Sequence, residues 1–143
     1  MGRDGRGVFT PWAVQTAPTL AEFEDMALAA YRNLPDAFRA LCDDLVISIA
    51  EFADDDALDS VGLDDPYSLL GLFQGHGMAQ TGGMGWTGRM PNRVFLYRRP
   101  ILDYWADGED ALGTIITHVL VHEIGHHFGL SDADMERIEA SAE

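Results

Sequence analysis

The stretch Val121-His122-Glu123-Ile124-Gly125-His126-His127-Phe128-Gly129-Leu130-Ser131-Asp132 decides how the rest of the chain is read. It closes an apolar pattern (Leu112, Ile115, Ile116, Val119, Leu120 and Ile124) whose spacing predicts one helix from Glu109 to about Phe128 with a broad buried face. Gly129 stands where a left-handed residue is expected just beyond a helix C-terminus. On such a helix His122 and His126 lie one turn apart in height and about 40° apart in projection, so both imidazoles can reach one ion. Two ring nitrogens suit zinc, which binds them at ~2.0–2.1 Å. Glu123 lies about 60° round from His126, poorly placed as a ligand but close enough to act on water held by the ion. The spacing therefore separates ligands from a general base.

A catalytic zinc takes three protein ligands and keeps a fourth position open. Once Gly129 has turned the chain, Asp132 can return beneath the metal as the third, giving His-Glu-x-x-His-x-x-Gly-x-x-Asp. Asp134, Glu136 and Glu139 are weaker candidates. Ser131, with Asp134 three residues on, opens a last helix to about Ala140, which would carry them past the site. The expectation is one zinc per chain on His122, His126 and Asp132, with Glu123 catalytic. With five His and eight Glu in 143 residues, His-Glu-x-x-His arises by chance about once in a hundred such chains, so coincidence is not the default.

The neighbouring signals are weaker. His118, one turn before His122, reads as an outer or surface histidine, and His127 as a packed or capping one. Met135 fits a place beneath the zinc or an ordinary core position equally well. Gly125, costly inside a helix, suggests that another backbone passes close by. His76, Tyr97 and Tyr104 are candidates for stabilising an oxyanion, and Trp86 for lining a cleft.

Outward from the motif, Thr19-Leu-Ala-Glu22 is a capping box that opens a helix carrying Phe23, Ala27, Ala30, Tyr31 and Leu34. Pro35 starts a second, short helix to about Leu41. Leu45–Glu51 and Ser68–Phe73 read as strands, and Arg93–Tyr97 as a third, polar at its ends and hence an edge able to pair with an extended peptide. Asp54, Asp55, Asp56, Asp59, Asp64 and Asp65 read as a solvated connection without calcium-loop spacing. The glycine-rich segment from Gly75 to Asn92 reads as a long flexible loop, and Pro100 to Trp105 as a helical turn. The result is one α+β domain over 19–143, a small mixed sheet packed against the motif helix, preceded by a flexible tail over 1–18.

Composition narrows the partners. A net charge of −15, with all nine basic residues Arg, repels phosphate backbones and anionic membranes. Neither nucleic acid nor membrane is expected, and no apolar run approaches the ~20 residues of a membrane helix. The run Met1–Gly7 lacks the apolar core of a secretion signal, and Cys42 is the only cysteine, so a cytoplasmic location is the default expectation. Oligomeric state leaves no signature.

The run from Val121 to Met135, with Leu70-Gly-Leu-Phe-Gln-Gly75 and Pro91-Asn-Arg-Val-Phe-Leu-Tyr-Arg-Arg-Pro-Ile-Leu102, resembles the small bacterial zincin-like metallopeptidases. The resemblance extends from about Thr19 onward. It implies a compact zincin core, zinc on His122, His126 and Asp132, catalysis by Glu123, and a peptide or protein substrate. The extended motif is also similar to that of metzincins with Asp as third ligand. Only eleven residues follow Asp132, so a C-terminal subdomain with a methionine turn is not expected. Metalloendonucleases that mature ribosomal RNA space their ligands similarly, but they lack the Glu after the first His. The alternative to a peptidase is a non-catalytic, zinc-stabilised interaction or regulatory module.

Overall fold

The computed structural model describes residues 16–42, 44–75 and 92–142. The proposed tail up to residue 15, His76, Trp86 and most of the glycine-rich segment lie outside the described residues. Helix α1 (Leu20–Arg32) opens on the expected capping box: the Glu22 N–H donates to the Thr19 hydroxyl at 3.1 Å, and the Thr19 N–H donates to the Glu22 carboxylate at 2.8 Å. Its inward face carries Phe23 and Ala27, both fully buried. Helix α2 (Asp36–Arg39) follows Pro35, and strand β1 (Val46–Ala50) follows that.

The aspartate-rich stretch is not merely a solvated connection. It contains helix α3 (Asp55–Ser60), capped by Asp54, whose carboxylate accepts from the Ala57 N–H at 2.8 Å. Asp55 and Asp56 sit in its first turn, where negative charge complements the helix dipole. Acidity here is a helix-start signal. A 3₁₀ turn (Pro66–Ser68) takes the beginning of the expected second strand, so β2 spans Gly71–Gln74.

Strand β3 (Arg93–Tyr97) has the expected bounds but is central, not an edge. The order is β1-β3-β2, with β1 parallel and β2 antiparallel to β3. Polarity at its start misled because those groups are satisfied across the sheet: the Arg93 guanidinium donates to Ser48 Oγ at 2.6 Å, and the Asn92 carbonyl accepts from the Val46 N–H at 2.8 Å. Both faces of β3 are covered. Val94 and Leu96 lie in the main core, while Tyr97 joins Ala53, Ala57, Leu58 and Leu69 on the α3 side.

Helix α4 (Arg98–Ala106) continues directly from β3. Arg98 ties the entry of α1 to the sheet, donating to the Pro18 carbonyl at 2.7 Å and to Glu51 at 2.9 Å. Helix α5 (Leu112–His127) starts three residues later than expected, with Ala111 as its N-cap, and buries all six residues of the apolar pattern. Ile116, Leu120 and Ile124 are at most 1% exposed, worth about 1.5–3 kcal/mol apiece in area removed from water. Helix α6 (Asp132–Ser141) completes the described chain. A second core cluster of Leu34, Phe38, Cys42, Val121, Ile124 and Met135 joins α2 and the residues flanking it to α5 and α6. The class is α+β, with a small mixed sheet against the motif helix. Among the described residues no helix is long and apolar enough to cross a membrane.

The seat of α5 on the sheet depends on Gly71. A Cβ there would lie 2.6 Å from Val119 Cγ1 and 3.0 Å from the Phe95 carbonyl. Gly71→Ala should therefore destabilise the fold by about 1–3 kcal/mol, the usual cost of overpacking. Urea denaturation would read it, and an unchanged midpoint would show that β2 and α5 are not in close register.

Candidate metal centre

The site is built by two helices and the turn between them. Gly129 adopts φ +77°, its N–H donates to the His126 carbonyl at 3.2 Å, and the Leu130 N–H donates to the Gly125 carbonyl at 2.9 Å. This pair of bonds satisfies the last carbonyls of α5 and reverses the chain. Ser131 then caps α6, accepting from the Asp134 N–H at 3.1 Å. Asp134 returns its carboxylate to the Ser131 N–H and pairs with Arg137, so it serves the cap.

The reversal folds α6 back along α5. Met135 is fully buried, and a Cβ on Gly125 would lie 2.6 Å from its sulfur. The close approach expected at Gly125 is thus made by a side chain, not by another backbone. Met135 is a core residue, packed with Val121 and Ile124.

His122 and His126 lie edge to face, with ring centroids 5.6 Å apart. The His118 and His122 rings are closer, at 4.0 Å. Glu139 spans this second pair: one carboxylate oxygen is 2.9 Å from His118 Nδ1 and the other 3.0 Å from His122 Nε2. An ionised carboxylate only accepts, so in this arrangement both facing nitrogens carry protons. Asp132 does not bond either histidine but shares a cavity of about 510 Å³ with His118, His122, Glu136 and Glu139. His126 does not line that cavity. Glu139, expected to be carried past the site, comes back to it. The missed signal is helical spacing: Asp132, Glu136 and Glu139 stand at i, i+4 and i+7, on one face of α6 opposite His118 and His122 on α5.

Glu123 points away from this cavity, towards the sheet. The Tyr97 N–H donates to the Leu70 carbonyl at 2.9 Å, and bonded pairs alternate along an antiparallel ladder. Phe73 therefore turns its N–H to the outer side of β2, where it bonds Glu123. Burial pushes the Glu123 carboxyl above its usual range, opposed by that hydrogen bond and by the charge of His126. His127 is exposed, with one side against the sheet: its ring lies 4.2 Å from that of Phe73, and a Cβ on Gly75 would strike it. Of the oxyanion candidates, Tyr104 is exposed beside a neighbouring cavity, and Tyr97 is buried.

The donor chemistry fits zinc. Ligating atoms of His118, His122 and Glu139 all lie within 4.8 Å of one another, and two imidazoles with a carboxylate form a common zinc set. Tetrahedral ligands at ~2.1 Å stand about 3.4 Å apart, so little movement separates this cluster from coordination.

A motif helix bearing His122, Glu123 and His126, laid against a small mixed sheet and backed by a carboxylate-bearing helix, defines a zincin-like protein. The model of the zincin-like metallopeptidase family matches residues 42–142, and the chain belongs to that family. Membership implies zinc. No curated protein matches the chain.

Tyr97 offers a stability test. Burial first, then the charges of Asp54 and Glu123, push its phenol from 10.0 up to about 12. A folded-state value above the unfolded one means that stability is full below pH ~10 and is lost as pH rises through ~12. The chain has no Lys and its Arg residues stay charged, so neither obscures this range. The unfolding free energy should fall by up to about 2 kcal/mol between those limits, and Tyr97→Phe should flatten most of the fall. Equal slopes in both proteins would place the phenol in solvent contact.

Proposed function

We propose that the chain is a zinc-dependent peptidase in which His122, His126 and Asp132 hold one ion and Glu123 serves as general base and then general acid. The observation that carries this reading is the setting of Glu123. It lies on the same helix as the two motif histidines, half-buried, and is oriented by the Phe73 N–H from the outer side of β2. Zinc, when bound, supplies Lewis acidity, acidifying water and polarising a carbonyl.

The rest falls to the protein. A carboxylate whose affinity for protons is raised by burial can take a proton from the attacking water and hand it to the leaving amine. The Phe73 hydrogen bond keeps that carboxylate aimed while the proton is on it or off it. An extended peptide cannot add to β3, as its polar ends first suggested, because both of its edges are taken. Among the described residues the strand beside Glu123 with an outer edge is β2, and the proposal lays the substrate backbone along it, clear of the Phe73 N–H that Glu123 holds. A peptide or protein substrate and a cytoplasmic location, with no nucleic-acid or membrane partner, belong to the same proposal.

A second reading, a zinc-stabilised module without turnover, is favoured by one contact. Glu139 already engages the ring nitrogen of His122 that faces the cleft.

Glu123→Gln separates the two. It should keep zinc by mass-spectrometric metal analysis and lose chelator-sensitive casein cleavage by at least about a hundredfold. Loss of zinc with the substitution would make Glu123 structural. Zinc without cleavage in the wild type would favour the module.

A further inference from the structure

We propose that His118, His122 and Glu139 form a second divalent-cation site between α5 and α6. It shares His122 with the site of the preceding reading and so excludes simultaneous occupation of both. The inference rests on that reading only through the shared histidine. Three observations carry it. The ligating atoms converge, with Glu139 bridging His118 Nδ1 and His122 Nε2 at 2.9 and 3.0 Å. The surroundings are acidic and roomy, since Asp132 and Glu136 line the same cavity of about 510 Å³. Finally, the cluster is reachable from two sides, because His118 and Glu139 also line a cavity of about 370 Å³ bordered by Tyr104 and Asp110.

Two imidazoles and a carboxylate select the zinc and cobalt class over calcium or magnesium, which prefer all-oxygen shells. Each histidine coordinates through an unprotonated ring nitrogen, so the proton facing Glu139 must leave that nitrogen, which a neutral ring does by switching tautomer. Sharing follows from chemistry. A ring nitrogen has one lone pair, and His122 Nε2 cannot serve the cleft and His126 together. A cation here would also tie α6 to α5 through ligands from both helices.

The test is binding of Zn²⁺ and Co²⁺ to the whole chain, read by metal stoichiometry and by the visible spectrum of bound cobalt. Circular dichroism would verify each variant's fold. His126→Ala should still bind one ion, with a cobalt spectrum different from that of the wild type. Adding Glu139→Gln to it should weaken binding by more than the ~10–100-fold typical of losing an outer partner. His118→Ala, at a side chain 55% exposed and so tolerant of change, should do the same in the His126→Ala background if the Glu139 variant fails to fold. Wild-type stoichiometry should stay at one in excess metal.

Two results overturn the inference while leaving the first site intact: His126→Ala binds nothing, or the double variants bind as His126→Ala does. Two ions per wild-type chain would overturn the sharing. Loss of all metal in Glu139→Gln alone, with unchanged binding in His126→Ala and Asp132→Ala, would instead remove the first site and leave this one.

Discussion

The close docking of α6 on α5 is the constraint on which the site depends, and a missing methyl group sets it. At Gly125 the motif helix presents bare backbone, and the Met135 side chain fills the space a Cβ would take. Glycine at that position costs helix stability of about 0.5–1 kcal/mol. What the molecule gains is proximity: with Met135 seated, the carboxylate face of α6 lies across from the histidine face of α5. The left-handed turn at Gly129 supplies the reversal, and the Ser131 cap fixes where α6 begins. Neither feature touches a metal, yet both decide which carboxylate meets which imidazole.

Electrostatics reinforces this arrangement. The cavity between α5 and α6 gathers three carboxylates around two histidines in a chain already strongly acidic. Like charges so close repel, and a cation held by the histidines would relieve the repulsion. Glu123 is held apart from that group, in drier surroundings against the sheet, with a backbone N–H as its partner. The same helix thus lines the cavity with two histidines and sets a half-buried carboxylate outside it.

Much of the fold was legible in the sequence, for local reasons. Capping boxes at Thr19 and Ser131, the glycine after α5 and the apolar stripe from Leu112 to Ile124 are short-range signals, and each structural counterpart appears within a few residues. What escaped was non-local or ambiguous. The centrality of β3 depends on partners that come from elsewhere in the chain, so Arg93 looked like an edge residue until Ser48 met it. The acidic run around Asp54 was read as solvated when it was starting a helix. The motif histidines were singled out by spacing alone, and the His122 and His126 rings lie edge to face, 5.6 Å apart. Glu139 was set aside although the i, i+4, i+7 rhythm that places it was on view. Asp132, read as the third ligand, shares the cavity with His122 without bonding it.

The topology of the cluster also bears on how the molecule comes into being. His118, His122, Asp132 and Glu139 all fall within two successive helices and one tight turn, whereas β1 must find β3 across 47 positions, as from Val46 to Arg93. Short loops close sooner than long ones, and helical hairpins assemble faster than parallel strand pairs. In a full-length chain that refolds, α5 and α6 can therefore pair while the sheet is still unformed. Glu123 acquires its Phe73 partner only when β2 arrives. Capture of an ion and readiness of the neighbouring carboxylate are then separate events in the life of the chain, with the first open to a metal that waits for the second.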